Sequence, residues 1–293
     1  QSAIKRLYEL FPKILQGMVW LLYFIIRRIH LIGVGLNRWK STGGQITFIS
    51  YLFNLEAKAT KKGFYKSNFW AHLPDALDKD AIETNWLHIY VNDDTLPSSK
   101  DAANAMRTFN KQFNSKQRHT TLASFLSWSI VGKTLRDWYK IIKISRKLKS
   151  LGHKNLSNEF YLWPYIKDDL DESFYGVTAI NNLLFYNLFD KALQLLPKQN
   201  RGIYLQENQG WEFTFLQAWK KAKHGKLIGV PHTTIRYWDL RYFFDNRAYH
   251  VHNRNQLPRP DMVAVNGKAC RESYSIDVYP QHELVDVEAL RYL

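Results

Sequence analysis

The chain has 293 residues, of which 45% are hydrophobic and 23% charged, a composition typical of a globular protein with one large or two smaller domains. A net charge of +15 favours anionic partners, namely nucleic acid, anionic lipid headgroups or phosphorylated substrates. The only cysteine, Cys270, excludes an internal disulfide and indicates a reducing compartment.

An apolar run, "ILQGMVWLLYFII", lies near the start of the chain and is followed by Arg27 and Arg28. The run is shorter than the roughly 20 residues of a membrane-spanning helix, and no small-residue cleavage site follows it, so it predicts neither a spanning helix nor a signal peptide. Two interpretations stay open: a buried helix, or an apolar and amphipathic helix on a membrane surface whose arginines meet lipid phosphates. Residues 1–45 are therefore predicted to form a helical N-terminal segment.

The remainder of the chain alternates between strand and helix patterns. Residues 99–152 are predicted to be helical throughout, and "WEFTFLQAWKKAKHG" predicts a helix that ends at Gly225. Such alternation predicts an α/β fold with a Rossmann-like parallel sheet, formed by residues 46–280. Strands are predicted near residues 46–53, 86–91, 159–163, 202–206, 226–231 and 261–266.

The acidic run "DDLD", which ends at Asp171 and is soon followed by Ser173, has two interpretations. It could supply a pair of metal-binding carboxylates, or it could cap a helix, as Asp and Ser often do. The chain contains neither HExxH nor CxxC, which argues against zinc sites of those types. We predict no metal.

Polar residues follow two of the predicted strands. Glu207 and Asn208 follow "GIYLQ", while a second group follows "KLIGVP". In open parallel sheets, ligands bind beyond the carboxyl ends of the strands, so these groups predict one cleft. A carboxylate, an imidazole and a guanidinium there suit general-base activation of a hydroxyl beside a phosphate or carboxylate. The second group consists of His232, Thr233, Thr234 and Arg236.

The same carboxylates allow a simpler interpretation. Glu207 could cap the N-terminus of the helix that follows it, in which case it would have no chemical role. Glu212 lies inside that helix and is predicted to be structural.

Several blocks resemble a family found in bacterial O-antigen and surface-carbohydrate gene clusters. The blocks are "SYLFN", "FWAHLPDAL", "NWLHIYV", "DESFYG", "YLQENQGWE", "IGVPHTTIRYWDLRYF" and "LPRPDMVAVNGKA", and the resemblance covers most of residues 46–293. It implies a glycosyltransferase of GT-B architecture, with two facing Rossmann-like domains, more distantly similar to transferases of keto-deoxy sugars from CMP-activated donors. Residues 281–293 resemble the passage into the second, donor-binding domain, so the chain is expected to be an N-terminal half.

The resemblance implies a metal-independent enzyme without a cofactor, which transfers a sugar from a nucleotide-sugar donor to a glycan or lipid-linked glycan acceptor. We expect it in the cytoplasm or peripherally on the inner face of the inner membrane, with no nucleic-acid partner. Two alternatives stay open: a non-catalytic module that binds anionic glycan or nucleic acid, and a nucleotide-sugar epimerase or synthase on the same scaffold. The predicted catalytic residues are Glu207, His232 and Asp171, and the predicted substrate-binding residues are Asn208, Ser173, Thr233 and Arg236.

Overall fold

The computed structural model describes residues 3–112, 115–152, 163–231, 239–242, 257–276 and 279–288. The chain divides into two compact units: a helical unit of Gln1–Ile29 and Leu126–Leu188, and an α/β unit of His30–Phe125 and Phe189–Leu293. This division differs from the predicted one because residues 126–188 group with the N-terminal helices. That residues 281–293 begin a further domain stays a prediction.

The α/β unit contains one all-parallel sheet of seven strands with helices around it, so the predicted Rossmann-like α/β fold is confirmed. The strand order is β3-β2-β1-β4-β5-β6-β7. Strands predicted near 46–53, 86–91, 202–206, 226–231 and 261–266 are all present, with small differences at their ends. The observed strands are β1 (Ile46–Leu52), β2 (Thr84–Tyr90), β3 (Gln117–Thr121), β4 (Arg201–Gln206), β5 (Lys226–Pro231), β6 (Met262–Val265) and β7 (Leu284–Asp286).

Eleven α-helices occur in the described part of the chain. Those of the helical unit are α1, α2, α7, α8 and most of α9, and the others belong to the α/β unit. In chain order they are α1 (Ala3–Glu9), α2 (Lys13–Arg28), α3 (Leu36–Lys40), α4 (Ala57–Lys61), α5 (Leu73–Lys79), α6 (Ser99–Phe109), α7 (Trp128–Gly152), α8 (Trp163–Tyr175), α9 (Val177–Leu195), α10 (Gly210–Lys221) and α11 (Lys268–Ile276).

The prediction that residues 99–152 are wholly helical is wrong, because strand β3 separates α6 from α7. The strand predicted near 159–163 lies outside the described residues except for Trp163, which begins helix α8.

The predicted end of helix α10 is also wrong. The helix ends at Lys221, and Lys223 rather than Gly225 takes the left-handed conformation, with φ of 56°. Gly225 serves another purpose: its amide donates to the Gln199 carbonyl at 2.8 Å, and its Cα lies so close to the Asn200 carbonyl that a Cβ would collide with it. Glycine is required there by close approach of two backbones.

A buried polar network fixes the sheet at the amino ends of its central strands. The Gln199 Oε1 atom accepts hydrogen bonds from Thr47 Oγ1 at 2.8 Å and from Asn85 Nδ2 at 3.0 Å. Asn85 in turn accepts from Thr42 Oγ1 at 2.6 Å. Because buried polar groups are costly unless paired, this network favours the observed order β2-β1-β4 over other arrangements.

Aromatic side chains fill the core between the sheet and its helices. Phe48 stacks on Trp86 with ring centroids 4.2 Å apart, and Trp70 meets Phe48 edge-on. The indole N–H of Trp70 donates to Ser50 Oγ at 2.9 Å, so the buried ring leaves no unpaired donor. These rings belong to the core rather than to a sugar site.

A pair of fully buried histidines joins β2 to β3. His88 Nε2 lies 3.0 Å from His119 Nδ1, the two rings are stacked, and His119 Nε2 lies 3.1 Å from Gln117 Oε1. Burial lowers the pKa of His88 to about 3 and holds the pKa of His119 well below its usual range. Both rings are therefore neutral near pH 7.

In the helical unit, α2 packs through one face. The indole of Trp138 lies against Gly17 so closely that no side chain fits there, and Phe24 contacts Phe185 edge-on. By length and composition the helical stretch Lys13–Leu31 would suffice to cross a membrane, whereas the shorter apolar run in the sequence predicted that it does not span. Only 22% of its most apolar stretch is buried.

Candidate functional site

The strand order places a crevice between β1 and β4. From β1 the chain proceeds outward through β2 to β3, and then crosses back to β4 on the other side of β1. The loops that leave the carboxyl ends of β1 and β4 therefore diverge, and such a point of reversal is where open parallel sheets bind ligands. The segment "ENQGWE", residues 207–212, begins at this position.

Glu207 lies at the mouth of this crevice and is partly exposed. Its Oε2 atom accepts a hydrogen bond from Gln209 Nε2 at 2.9 Å and a longer one from the Tyr51 hydroxyl at 3.5 Å. These two bonds orient the carboxylate group.

Tyr51 connects this carboxylate to the aromatic core. Its hydroxyl accepts a hydrogen bond from Trp211 Nε1 at 3.2 Å, and the two rings meet edge-on with centroids 5.8 Å apart. Trp211 stacks in turn on Phe189. Burial, and next the Glu207 carboxylate, raise the pKa of Tyr51 well above its usual range. The hydroxyl therefore stays protonated and can donate to Glu207.

A second carboxylate, Glu212, holds the backbone of the turn in place. Its side chain is buried, with 1% exposed, and accepts hydrogen bonds from the amides of Glu207 at 2.9 Å, Asn208 at 3.0 Å and Gln209 at 3.1 Å. Burial raises the pKa of Glu212 to about 8, although the three amides act to lower it. The predicted structural role of Glu212 is confirmed.

The residue at which α10 begins tests whether Glu207 caps this helix. Helix α10 begins at Gly210, so the N-cap residue is Gln209. The Gln209 amide donates to the Glu212 carboxylate, and the Glu212 amide donates back to the Gln209 carbonyl at 3.0 Å. Glu207 thus lies outside the helix terminus, and the interpretation that it caps α10 is wrong.

Asn208 takes the left-handed conformation, with φ of 54°, which Asn tolerates better than most residues. Its Oδ1 atom accepts from Gln206 Nε2 at 3.0 Å. Asn208 Nδ2 and Gln206 Oε1 are buried without a hydrogen-bond partner among the described residues. Gln206 packs against β5 at Gly229, which has no Cβ. A Cβ at that position would collide with the Gln206 amide oxygen.

The rim on the other side of the crevice is also held by side-chain hydrogen bonds. Asn54, which follows β1 and has φ of 55°, donates its amide to Asp93 Oδ2 at 2.9 Å. Asp93 Oδ1 accepts from the amides of Thr95 and Leu96 at 3.1 and 2.8 Å. Both loops at the crevice are therefore fixed by a carboxylate that accepts backbone N–H groups.

The other predicted site residues fall into two groups: two of them belong to the helical unit, and the rest lie outside the described residues. Asp171 and Ser173 lie inside α8 of the helical unit, so the predicted helix cap at this run is wrong. The neighbouring Glu172 accepts the Thr178 amide instead, at 3.2 Å, and pairs with Lys13 at 3.0 Å. No group of His, Cys, Asp or Glu suited to a metal occurs among the described residues. His232, Thr233, Thr234 and Arg236 lie outside those residues.

Two residues of the cluster, Tyr51 and Trp211, were not predicted from the sequence. Tyr51 stands within a strand pattern, where an aromatic residue is expected to pack in the core. Trp211 lies inside the "ENQGWE" block but carries no ionisable group that would mark it. A tyrosine one residue from the end of β1 could have been noticed once β1 and β4 were known to be neighbours.

Comparisons with known proteins give no match, so the chemistry of this site is inferred from its geometry. No family model matches the chain, and neither a curated protein nor a solved structure matches it. The arrangement offers one partly exposed carboxylate, a neutral phenol that can donate to it, and a backbone fixed by a buried acid. The Glu207 carboxylate can accept a proton from a bound hydroxyl or attack an electrophilic carbon.

Proposed function

We propose that the protein is a glycosyltransferase of bacterial surface-polysaccharide biosynthesis, of the O-antigen or capsule type. The observation that carries this proposal is the position of Glu207, partly exposed at the point where the strand order reverses and oriented by Tyr51 and Gln209. The resemblance of the "YLQENQGWE" block to the surface-carbohydrate family supports the same conclusion. CMP-activated keto-deoxy sugars are the first donors to test.

In an inverting reaction, Glu207 takes the proton of an acceptor hydroxyl while the hydroxyl oxygen attacks the anomeric carbon of the donor. The bond from that carbon to the nucleotide phosphate breaks, and the nucleotide leaves with the bonding electrons. In a retaining reaction, Glu207 attacks the anomeric carbon first, and the nucleotide leaves with the bonding electrons. The acceptor hydroxyl then displaces the Glu207 carboxylate from that carbon, and the freed carboxylate takes up the hydroxyl proton. In either case the bonds from Tyr51 and Gln209 orient the Glu207 carboxylate, and the carboxyl group of Glu212 keeps the backbone of Glu207 fixed.

We further propose a metal-independent GT-B enzyme in which the present α/β unit binds the acceptor, and residues 281–293 lead into a donor-binding domain. His232, Thr233 and Arg236 follow β5, the neighbour of β4, so they are candidates for contacts with donor phosphate. Nucleotide sugars are made in the cytoplasm, so we place the protein there, on the inner face of the inner membrane, with a glycan or lipid-linked glycan as acceptor.

The test is to incubate the full-length protein with a panel of CMP-, UDP- and GDP-sugars and a lipid-linked acceptor, and to identify the products by mass spectrometry. The proposal predicts release of one free nucleotide together with an acceptor that has gained one sugar. Binding of glycan or nucleic acid without release of nucleotide would support a binding module instead. A changed sugar still attached to its nucleotide would support an epimerase.

A further inference from the structure

Helix α2 has two faces of different character. One face, which includes Gly17 and Leu21, is buried against the helical unit. The opposite face is apolar and exposed, with Leu22 at 58% and Ile26 at 60%. Soluble monomers rarely expose contiguous apolar patches of more than a few hundred Å². The exposed apolar side chains of this face are Ile14, Leu15, Met18, Val19, Leu22, Tyr23, Ile26 and, just beyond the helix, Ile29.

The spacing of these side chains makes the face continuous. They recur at intervals of three and four residues, and at 100° per residue they cover about half of the helix circumference. Leu7 and Leu10, in and just after α1, are exposed as well and lie just before this face along the chain. The apolar surface therefore extends over the whole length of α2, which is about 24 Å for its 16 residues.

Polar contacts beside α2 set its orientation relative to a bilayer. Lys13 pairs with Glu172 of α8 at 3.0 Å, and the same carboxylate accepts the Thr178 amide. A helix that spanned a bilayer would take this ion pair and the packed face of the helical unit into hydrocarbon, which is unfavourable because ions lose their hydration there. A helix lying in the membrane plane leaves both in water and covers only the apolar face.

The charges at the ends of the helix select the type of lipid. Arg27 and Arg28 stand at its C-terminal end, where they lie over the rings of Tyr23 and Phe24 at 5.7 and 5.5 Å. Residues 3–29 contain five basic residues, Lys5, Arg6, Lys13, Arg27 and Arg28, and one acidic residue, Glu9. Cations at both ends also disfavour a symmetric helix pair in a dimer, since an antiparallel pair would bring like charges together.

We propose that the apolar face of α2 docks on a bilayer that contains anionic phospholipids, with the helix axis parallel to the membrane plane. Apolar side chains enter the boundary between headgroups and acyl chains, and the arginines contact lipid phosphates. This inference concerns the helical unit alone, so it does not depend on the proposed transferase activity, and its test involves no sugar.

The experiment is vesicle flotation of the 293-residue protein with phosphatidylcholine alone and with phosphatidylcholine containing phosphatidylglycerol. We expect binding to the anionic vesicles that is at least about tenfold tighter, since each basic residue near the surface is attracted to anionic lipid headgroups. Arg27→Glu with Arg28→Glu should remove most of that difference. Leu22→Glu with Ile26→Glu should lower binding to both vesicles by at least tenfold.

A matched control adds the same charges elsewhere. Phe64→Glu with Val91→Glu replaces two exposed apolar residues of the α/β unit, and binding should not change. All four replaced apolar side chains are exposed, so circular dichroism should show that each variant folds. The proposal would be overturned if the variant with Leu22→Glu and Ile26→Glu (the α2 variant) bound as well as the parent, or if the parent did not bind. A dimer, seen by sedimentation without lipid, that the α2 variant abolishes would also overturn it.

Orientation is tested with a fluorophore placed at position 14, 22 or 26 by cysteine substitution, in a background where the buried Cys270 is replaced by serine. Nitroxide lipids that quench at shallow depth should quench all three positions similarly, as expected for a helix in the membrane plane. Deep quenching at position 22, intermediate quenching at 26 and shallow quenching at 14 would mean that the helix spans, and would overturn the proposed geometry.

Discussion

The turn between β4 and α10 and the histidine pair between β2 and β3 both bury titratable groups, but only the turn keeps one of them accessible. In the turn, the buried Glu212 holds the backbone while Glu207 stays partly exposed. In the pair, His88 and His119 are both fully buried. A buried acid beside an accessible one is an arrangement suited to chemistry, whereas two sealed neutral rings serve the core.

The two regions also respond to pH in opposite ways. Burial raises the pKa of the Glu212 carboxyl and lowers the pKa of both histidines, because in each case it disfavours the charged form. The folded protein therefore binds an extra proton at Glu212 and lacks protons at the histidines, relative to the unfolded chain.

The largest effect is expected from Glu212→Ala. The substitution leaves three backbone N–H groups of the turn without their acceptor, and each such group costs about 1–3 kcal/mol when buried. We expect the free energy of unfolding to fall by about 3–5 kcal/mol, measured by urea denaturation. Glu207→Ala is the matched control and should cost about 1 kcal/mol or less, because its side chain is partly exposed. Equal losses from the two variants would show that Glu212 does not hold the turn.

The next effect is the pH dependence that Glu212 contributes. The folded pKa of about 8 lies above the usual value of 4.5, so the folded state binds more protons between these limits. The contribution of Glu212 to stability is therefore fully present below about pH 4.5 and is lost as the pH rises through 8, by at most about 1.4 kcal/mol per pH unit.

Glu212→Gln, which cannot titrate, isolates this contribution. The difference in unfolding free energy between the parent and this variant should decline steadily from pH 5 to pH 8. A difference that is constant, or that grows with pH, would mean that the carboxyl is ionised in the folded state throughout this range.

His88→Phe tests the opposite limb of the pH curve. The folded pKa of about 3 lies below the usual 6.5, so the stability that neutral His88 contributes is fully present above pH 6.5 and is lost as the pH falls toward 3. The free energy of unfolding of the variant should fall less steeply with decreasing pH than that of the parent. At pH 8 the substitution should lower that free energy by about 1–3 kcal/mol, because His119 Nδ1 loses its partner. If the parent and the variant lose stability equally as the pH falls, His88 is not the source of the acid sensitivity.

Periodicity alone predicted most of the sheet, because its strands are short apolar runs bounded by turn residues. It failed at β3, whose sequence "QRHTT" is polar yet largely buried. That strand is stabilised by tertiary contacts, such as the hydrogen bond from Asn110 Nδ2 to the His119 carbonyl at 2.7 Å, which no local pattern reveals. The prediction of an all-helical stretch there followed from the helical periodicity on both sides.

The site was predictable only where its residues are consecutive. Glu207, Asn208 and Glu212 stand in one block after a recognisable strand, so the rule for parallel sheets located them. Tyr51 reaches Glu207 across 156 positions of sequence, and that contact exists only because β1 and β4 are neighbours. Asp171 and Ser173 were grouped with the site because of their residue types and their place in the "DESFYG" block, and the structure places them in the other unit.

Glu207→Gln in the full-length protein tests most directly the proposal that Glu207 performs the chemistry. The substitution keeps the size of the side chain and much of its hydrogen bonding but removes the group that accepts a proton or attacks. Turnover per folded molecule should fall by roughly a hundredfold or more, with the melting temperature unchanged, whereas Tyr51→Phe should cost about tenfold or less. A Glu207→Gln protein that keeps its rate per folded molecule but melts at lower temperature would contradict the account.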